Sequence, residues 1–445
     1  MEEELEIGIK PDRLAYCSFT KKAVDEARER VMKKFGYTSK ELPYFKNLHA
    51  LAFYLQNIKR SNVLDFTDYS IIGDHLGIEF TPKFDLESGI YSLGKRGDKY
   101  TYLYGLSRAK CMNPKELWDE MSHDNLNWYE YERYEEVLIQ YKQDRNLVDF
   151  GDMLEQCNQI VPVDVVIIDE AQDLSTLQWK FIERVFCNVK RKYIAGDDDQ
   201  AIYSWSGADV DYFQNIPGET EVLHQSWRIP SSIHEVANDI AAKIEKRSEK
   251  TYLPREAVGS VEYWRDLDGI DMSEGSWLLL TRNGYLLPKL VAFAQDSGVN
   301  YTVKGEPGIN AKHLKAIKLW EHRRKGNDLT LREIQFLDDF ATTKDHKIIW
   351  HDALGNITSE KREYYIALLR RGESLDNPRV HINTIHGTKG GEADNVILML
   401  DCSYTTWEAA NMLPDGEHRV WYVAVTRARE NLHIIMQSGR YGYTL

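Results

Sequence analysis

Short apolar runs bounded by polar turns punctuate the chain: Leu14–Phe19, Val163–Ile168, Tyr193–Ala195, Trp277–Leu280, Asn395–Leu400 and His433–Met436. Several are apolar at every position and rich in β-branched residues. That is the pattern of strands buried on both faces of a parallel sheet. Helical periodicity alternates with them over Lys21–Phe35, Leu177–Phe186, Ser231–Ile244 and Arg419–Asn431. Such alternation predicts doubly wound α/β layers. Two stretches depart from it. Residues 76–147 are rich in Tyr, Trp and charge, with a long helical pattern at Pro114–Asp144; residues 326–377 are polar and helical. Both read as mainly helical insertions. The expected first core is then 1–75 plus 148–225, and the second 226–325 plus 378–445.

Composition narrows the classes. The 445 residues allow two to four domains. Lys and Arg number 56 against 70 Asp and Glu, a net charge of −14. This excludes a uniformly basic nucleic-acid coat and leaves room for local basic faces. Lys21–Lys34 holds six basic residues against three acids, and Lys312–Lys325 six against Glu321 alone. Phosphate contact is favoured for the first run, because Phe19 and Thr20 directly precede it. The second is open between phosphate contact and a solvated helix face. Mean hydropathy is −0.51, and no apolar run approaches twenty residues, so no membrane span is expected. The acidic start Met1–Glu6 is no signal peptide. Five scattered cysteines without a CxxC pair argue against a disulfide scaffold or zinc site and fit a reducing, cytoplasmic setting.

Two segments carry candidate chemistry. VVIIDEAQD (165–173) delivers Asp169 and Glu170 from the end of a buried strand, where open α/β sheets bind ligands. Asp169 there can hold Mg²⁺ on a nucleotide, and Glu170 can orient and deprotonate water; the alternative is an acidic turn that merely ends a strand. AGDDDQAIYSWSGAD (195–209) offers Gln200, whose amide can donate to a phosphate and accept from water. It also sets Tyr203 and Trp205 in polar, Gly- and Ser-containing surroundings, which suits base stacking. A packing role for Trp205 stays open.

These two segments resemble motifs II and III of superfamily 1 DNA helicases of the UvrD/Rep/PcrA type. Further resemblances follow in the family's order: SFTKKAVDEARERV (18–31), LVDFGDML (147–154), HQSWRIP (224–230), LLLTRNG (278–284), INTIHGTKGGEADNVIL (382–398) and VWYVAVTRARENL (420–432). The resemblance implies two RecA-like domains and Mg²⁺-dependent ATP hydrolysis in the cleft between them. It places Asp169, Glu170, Gln200, Arg228 and Arg427 on the reaction, with both arginines as γ-phosphate fingers. Trp227 would stack the adenine, and a core position is the competing reading; Gly390 and Glu392 would lie near the nucleotide. Single-stranded DNA would meet Phe19, Thr20, Tyr203, Trp205, Asn283, Thr384 and His386, with single/double-strand junctions as substrates and movement 3′ to 5′. The short insertions resemble compact, phage-encoded members, whose setting would be the host cytoplasm.

One family element is missing. No G-x-x-x-x-G-K-[ST] string stands in the 445 residues, and Gly387–Gly391 (GTKGG) has the wrong spacing. Two expectations follow. The chain is an incomplete or split ATPase whose phosphate loop lies on another stretch of polypeptide, or it is a non-hydrolysing, DNA-binding relative.

Overall fold

The computed structural model describes residues 1–81, 94–120 and 126–445. The chain forms two compact units. The first comprises Met1–Val222, Ile244–Glu249 and Asp415–Arg419; the second holds the remaining segments of 223–445. The short pieces 244–249 and 415–419 of the expected second core thus group with the first unit.

The first unit contains a parallel sheet of β1 (Leu14–Ser18), β2 (Val165–Asp169) and β3 (Arg191–Ile194), in that order. Alternate residues of β1 and β2 feed two cores. Ala15, Cys17, Val166 and Ile168 join one; Leu14, Tyr16, Val165 and Ile167 join the other. Both faces of the β1–β2 pair are therefore covered, which is why these strands are apolar up to their last residues, Ser18 and Asp169. Helix Lys21–Phe35 follows β1 directly. Thr20 caps its start by accepting from the Ala23 amide, and Gly36 ends it at φ +75°, a left-handed conformation glycine adopts without strain.

The second unit holds a seven-stranded sheet of β4 (Ser260–Trp264), β5 (Trp277–Thr281), β6 (Tyr301–Val303), β7 (Glu306–Pro307), β8 (Val380–Thr384), β9 (Ala393–Met399) and β10 (Ala428–Ile435). Its order is β4-β10-β9-β5-β8-β6-β7. All pairs are parallel except β6 with β7. The mixed α/β fold with parallel sheets is the class expected. The expected helix Arg419–Asn431 is corrected: a helix covers Pro414–Val425, and the chain is β10 from Ala428. Val420–Val425 is buried at every position, so its apolar pattern has no period to show where the helix stops.

The insertions are helical among the described residues. The Pro114–Asp144 pattern is two helices, Pro114–Glu120 and Trp128–Arg145; residues 121–125 lie outside the described residues. The later insertion begins before residue 326, because helix Ala311–Arg324 shares a core with Trp350, Tyr365 and Leu368.

A buried charge cluster fastens the first insertion to helix Phe150–Gln156. Lys142 Nζ donates to Asp149 (2.5 Å) and Asp152 (2.7 Å), and Arg108 pairs with Asp149, Asp152 and Glu155. Burial works against the Asp149 charge, but Arg108 and Lys142 hold its carboxyl below the ordinary value. Removing one partner of a buried pair strands the other charges. Lys142→Met should therefore cost about 3–5 kcal/mol of stability, read from the urea midpoint; a loss under ~1 kcal/mol would show that the cluster is not what fastens the insertion. The folded Asp149 pKa lies below the unfolded one. Its contribution is thus complete above about pH 4 and lost as pH falls through the folded value. Asp149→Asn should be less stable at pH 7 and less sensitive to acid.

Candidate functional site

Parallel strands release their loops at one edge. In the first unit, Ser18 and Asp169 face each other in register at the ends of β1 and β2. Phe19 and Thr20 follow β1, Glu170 follows β2, and the loop to Gln200 follows β3. Asp169 accepts from the Tyr16 hydroxyl and the Glu170 amide. Burial raises its carboxyl above the ordinary range; the Tyr16 bond opposes this and the Glu170 charge adds to it. The Ser18 hydroxyl is buried without a hydrogen-bond partner among the described residues. A half-buried carboxylate that resists charging, beside an unsatisfied buried hydroxyl, fits a site that receives a cation and phosphate oxygens.

Glu170 sits at φ +54°, which costs a non-glycine residue on the order of 1 kcal/mol. Gln172, 1% exposed, accounts for how that conformation is held. Its Nε2 donates to Glu170 Oε2 (2.7 Å), and its Oε1 accepts from the Asp197 amide (3.1 Å). Asp197 in turn accepts from Gln200 Nε2 (2.8 Å). A continuous hydrogen-bond chain therefore joins Glu170 to Gln200. Gly196 permits it: a Cβ there would lie 2.5 Å from Gln172 Oε1 and 2.8 Å from the Phe213 ring. Sequence reading missed Gln172, because its role depends on a partner 25 residues away.

Phe19, Tyr203 and Trp205 form a row, with ring centroids 5.0 and 6.0 Å apart. Tyr102 donates to the Trp205 carbonyl at 2.5 Å. The Trp205 indole N–H is buried without a hydrogen-bond partner among the described residues.

In the second unit the expected residues divide between opposite ends of the sheet. Glu392 and Arg427 directly precede β9 and β10, so they lie at the N-terminal edge. Arg228 joins them by an ion pair with Glu392, and Arg429 pairs with Glu392 and Asp394 (3.4 Å each). Gly390, at φ +77°, turns the chain into this edge. Arg427 is 1% exposed; its guanidinium donates to the carbonyls of Val423 (2.8 Å) and Gly391 (3.3 Å) and to Thr426 Oγ1 (3.1 Å). Trp227 is 85% exposed, so it is no core residue.

Thr384 ends β8, and Asn283 and His386 follow β5 and β8, so all three lie at the C-terminal edge, and all three are buried. Asn283 accepts from the Ser403 amide (2.8 Å) and donates to Thr406 Oγ1 (2.9 Å), so it holds the start of helix Tyr404–Met412. Beside it opens a cleft of about 530 Å³, lined in part by Tyr285, Lys289, Tyr404, Arg440 and Tyr441. Trp407 and Tyr441 lie 5.4 Å apart. This aromatic and cationic surface also escaped sequence reading, because its members come from three distant segments.

The family description "UvrD/REP helicase N-terminal domain" matches residues 4–221, and "UvrD-like helicase C-terminal domain" matches 352–439. The chain belongs to the UvrD/Rep helicase family. The matched ranges hold Asp169, Gln200, Glu392 and Arg427, whereas Arg228 and Asn283 lie between them. Among curated relatives, a "Probable DNA helicase II homolog" of Mycoplasma capricolum is 25% identical over 80% of this chain and 52% of its own length. "ATP-dependent DNA helicase Rep" of Buchnera aphidicola is 24% identical over 51% of this chain and 36% of its own length. "DNA helicase II" of Escherichia coli is 24% identical over 51% and 34%. The chain thus spans about half, or less, of the length of these relatives. No helix among the described residues is long and apolar enough to cross a membrane.

For this UvrD/Rep-type site the Gly196 contact gives a direct test. Gly196→Ala forces Gln172 and Phe213 aside and should cost about 1–3 kcal/mol in a denaturation series. A midpoint equal to wild type would show that both neighbours yield freely.

Proposed function

We propose that the chain is the core of an ATP-dependent DNA helicase or translocase that moves 3′ to 5′ on single-stranded DNA and couples hydrolysis to strand separation. The observation that carries this reading is the hydrogen-bond chain Glu170–Gln172–Asp197–Gln200 beside Asp169. It supplies a held general base and a polar sensor at the ligand-binding edge of a parallel sheet. The names of the relatives, DNA helicase II and Rep, agree with it.

In this reading Asp169 would hold Mg²⁺, whose charge offsets that of the phosphates. Glu170 orients and deprotonates the attacking water, and Gln200 contacts the γ-phosphate. Arg228 and Arg427, from the second unit, stabilise charge developing there, an effect worth about 10³–10⁵ in rate for such arginines. Trp227 stacks the adenine, and Gly390 and Glu392 border the nucleotide. Thr20 and the row Phe19–Tyr203–Trp205 receive the DNA strand. In the second unit the cleft at Tyr285, Tyr404 and Tyr441, with Lys289 and Arg440 for phosphates, continues that role. Asn283, Thr384 and His386 shape its surroundings from beneath. The two helical insertions extend the contact toward single/double-strand junctions.

The phosphate loop is then supplied by polypeptide outside these 445 residues. The exposed outer edge of β3, unpaired among the described residues, suits a further parallel strand. The second reading, a non-hydrolysing DNA-binding protein, draws on the absent G-x-x-x-x-G-K-[ST] string. DNA-stimulated ATPase activity of the 445-residue chain separates the two. We expect activity near background, rising when a segment carrying the loop is supplied. No rise favours the DNA-binding protein, and robust hydrolysis by the chain alone contradicts both. Trp205→Ala should weaken single-strand binding by about 1–3 kcal/mol in a fluorescence titration; unchanged affinity removes Trp205 from the DNA surface.

A further inference from the structure

Segment 224–230, which carries Trp227 and Arg228, has no regular secondary structure of its own. A strap at 253–259 holds it. Leu253 N donates to the His224 carbonyl (2.6 Å), and Ser226 N to the Leu253 carbonyl (2.8 Å). Arg255 N donates to the Ile229 carbonyl, and Ser231 N to the Ala257 carbonyl (2.9 Å each). Gly259 ends the strap at φ +68°; a Cβ there would lie 2.5 Å from Pro230 and 2.8 Å from the Glu430 carbonyl. The strap therefore runs between the Arg228 segment and the start of β10.

One side chain joins the two. Arg255 Nε donates to the Arg228 carbonyl (3.1 Å), and its Nη2 donates to the Arg429 carbonyl. A guanidinium is a rigid planar fork, so it fixes the spacing of two acceptors in a way a lysine cannot. Arg427 stands two residues from the second acceptor. Its own carbonyl accepts from the Ala393 amide (3.1 Å), which anchors it to β9. The Arg228 side chain reaches the same neighbourhood through Glu392, which Arg429 shares.

We propose that Arg255 is a positioning residue: its guanidinium locks segment 224–230 to segment 427–430, so that Arg228 and Arg427 are presented at a fixed spacing. The second measurement below rests on the reading of those two arginines as γ-phosphate contacts; the first does not.

The test compares the full 445-residue chain with Arg255→Gln and Arg255→Lys. Hydrogen–deuterium exchange is followed in peptides covering 224–230, 427–431, β5 and β9. Loss of one side-chain hydrogen bond to a carbonyl in each segment loosens that segment and should speed amide exchange about tenfold in Arg255→Gln at both 224–230 and 427–431, and leave β5 and β9 unchanged. Arg255→Lys, with a single-point donor, should restore one segment at most. Wild-type exchange at either segment in Arg255→Gln, or full restoration of both by Lys, overturns the bridge. Faster exchange throughout β5 and β9 also overturns it, because Arg255 would then serve the fold at large. In the second measurement, ATPγS and ADP compete against fluorescent mant-ADP. Arg255→Gln should keep ADP affinity and lose about tenfold of the preference for ATPγS. An unchanged preference, with exchange quickened, overturns the positioning of the arginines. The competition is run with the loop-carrying segment supplied; a wild-type chain that then binds neither nucleotide sinks the nucleotide reading, and the exchange result still decides on Arg255.

Discussion

The constraint on which the site depends is strand direction. Three parallel strands in the first unit release every connecting loop at one edge. Phe19, Asp169, Glu170 and the loop to Gln200 are therefore neighbours although they span some 180 residues of chain. In an antiparallel sheet the same segments would leave at alternate ends. Burial on both faces then sets the electrostatics: Asp169 ends a strand whose other residues are apolar and enclosed, and that enclosure raises its carboxyl.

The same rule sorts the second unit. Residues that end or follow strands, Thr384, Asn283 and His386, lie at one end of its sheet; residues that precede strands, Glu392 and Arg427, lie at the other. The proposed nucleotide and DNA contacts of this unit thus fall at separate ends. A uniformly basic surface is not needed for this. Aromatic rows and a few placed cations give local attraction for a nucleic-acid strand, and the net charge of −14 is compatible with that.

What sequence reading recovered follows from the same physics. β1 and β2 were legible because strands buried on both faces are apolar throughout. β8 was not, because VHINT alternates buried and exposed positions over only five residues. The Arg419–Asn431 error came from the opposite condition: Val420–Val425 is apolar all round and reads equally as helix or strand. Asp169 and Glu170 were legible as adjacent acids ending a strand. Gln172 and Arg255 were not, because their partners lie 25 and 174 residues away and nothing local marks them. For Trp227 the sequence admits adenine stacking or a core position; its exposure decides against the core.

The two arginines expected to act together are held by bonds of different cost. Arg228 is paired with Glu392, and both side chains are more than a third exposed. Such pairs contribute about 1 kcal/mol or less, so Arg228 can exchange Glu392 for a phosphate at little expense. Arg427 is enclosed, and its donors satisfy the carbonyls of Val423 and Gly391. Turning it outward would break these enclosed hydrogen bonds, each worth about 0.5–1.5 kcal/mol. In the proposed reading, a phosphate at this edge would recruit Arg228 first and would have to contribute more to draw on Arg427. The order follows from burial alone, and in that reading the displacement of Glu392 from Arg228 comes first.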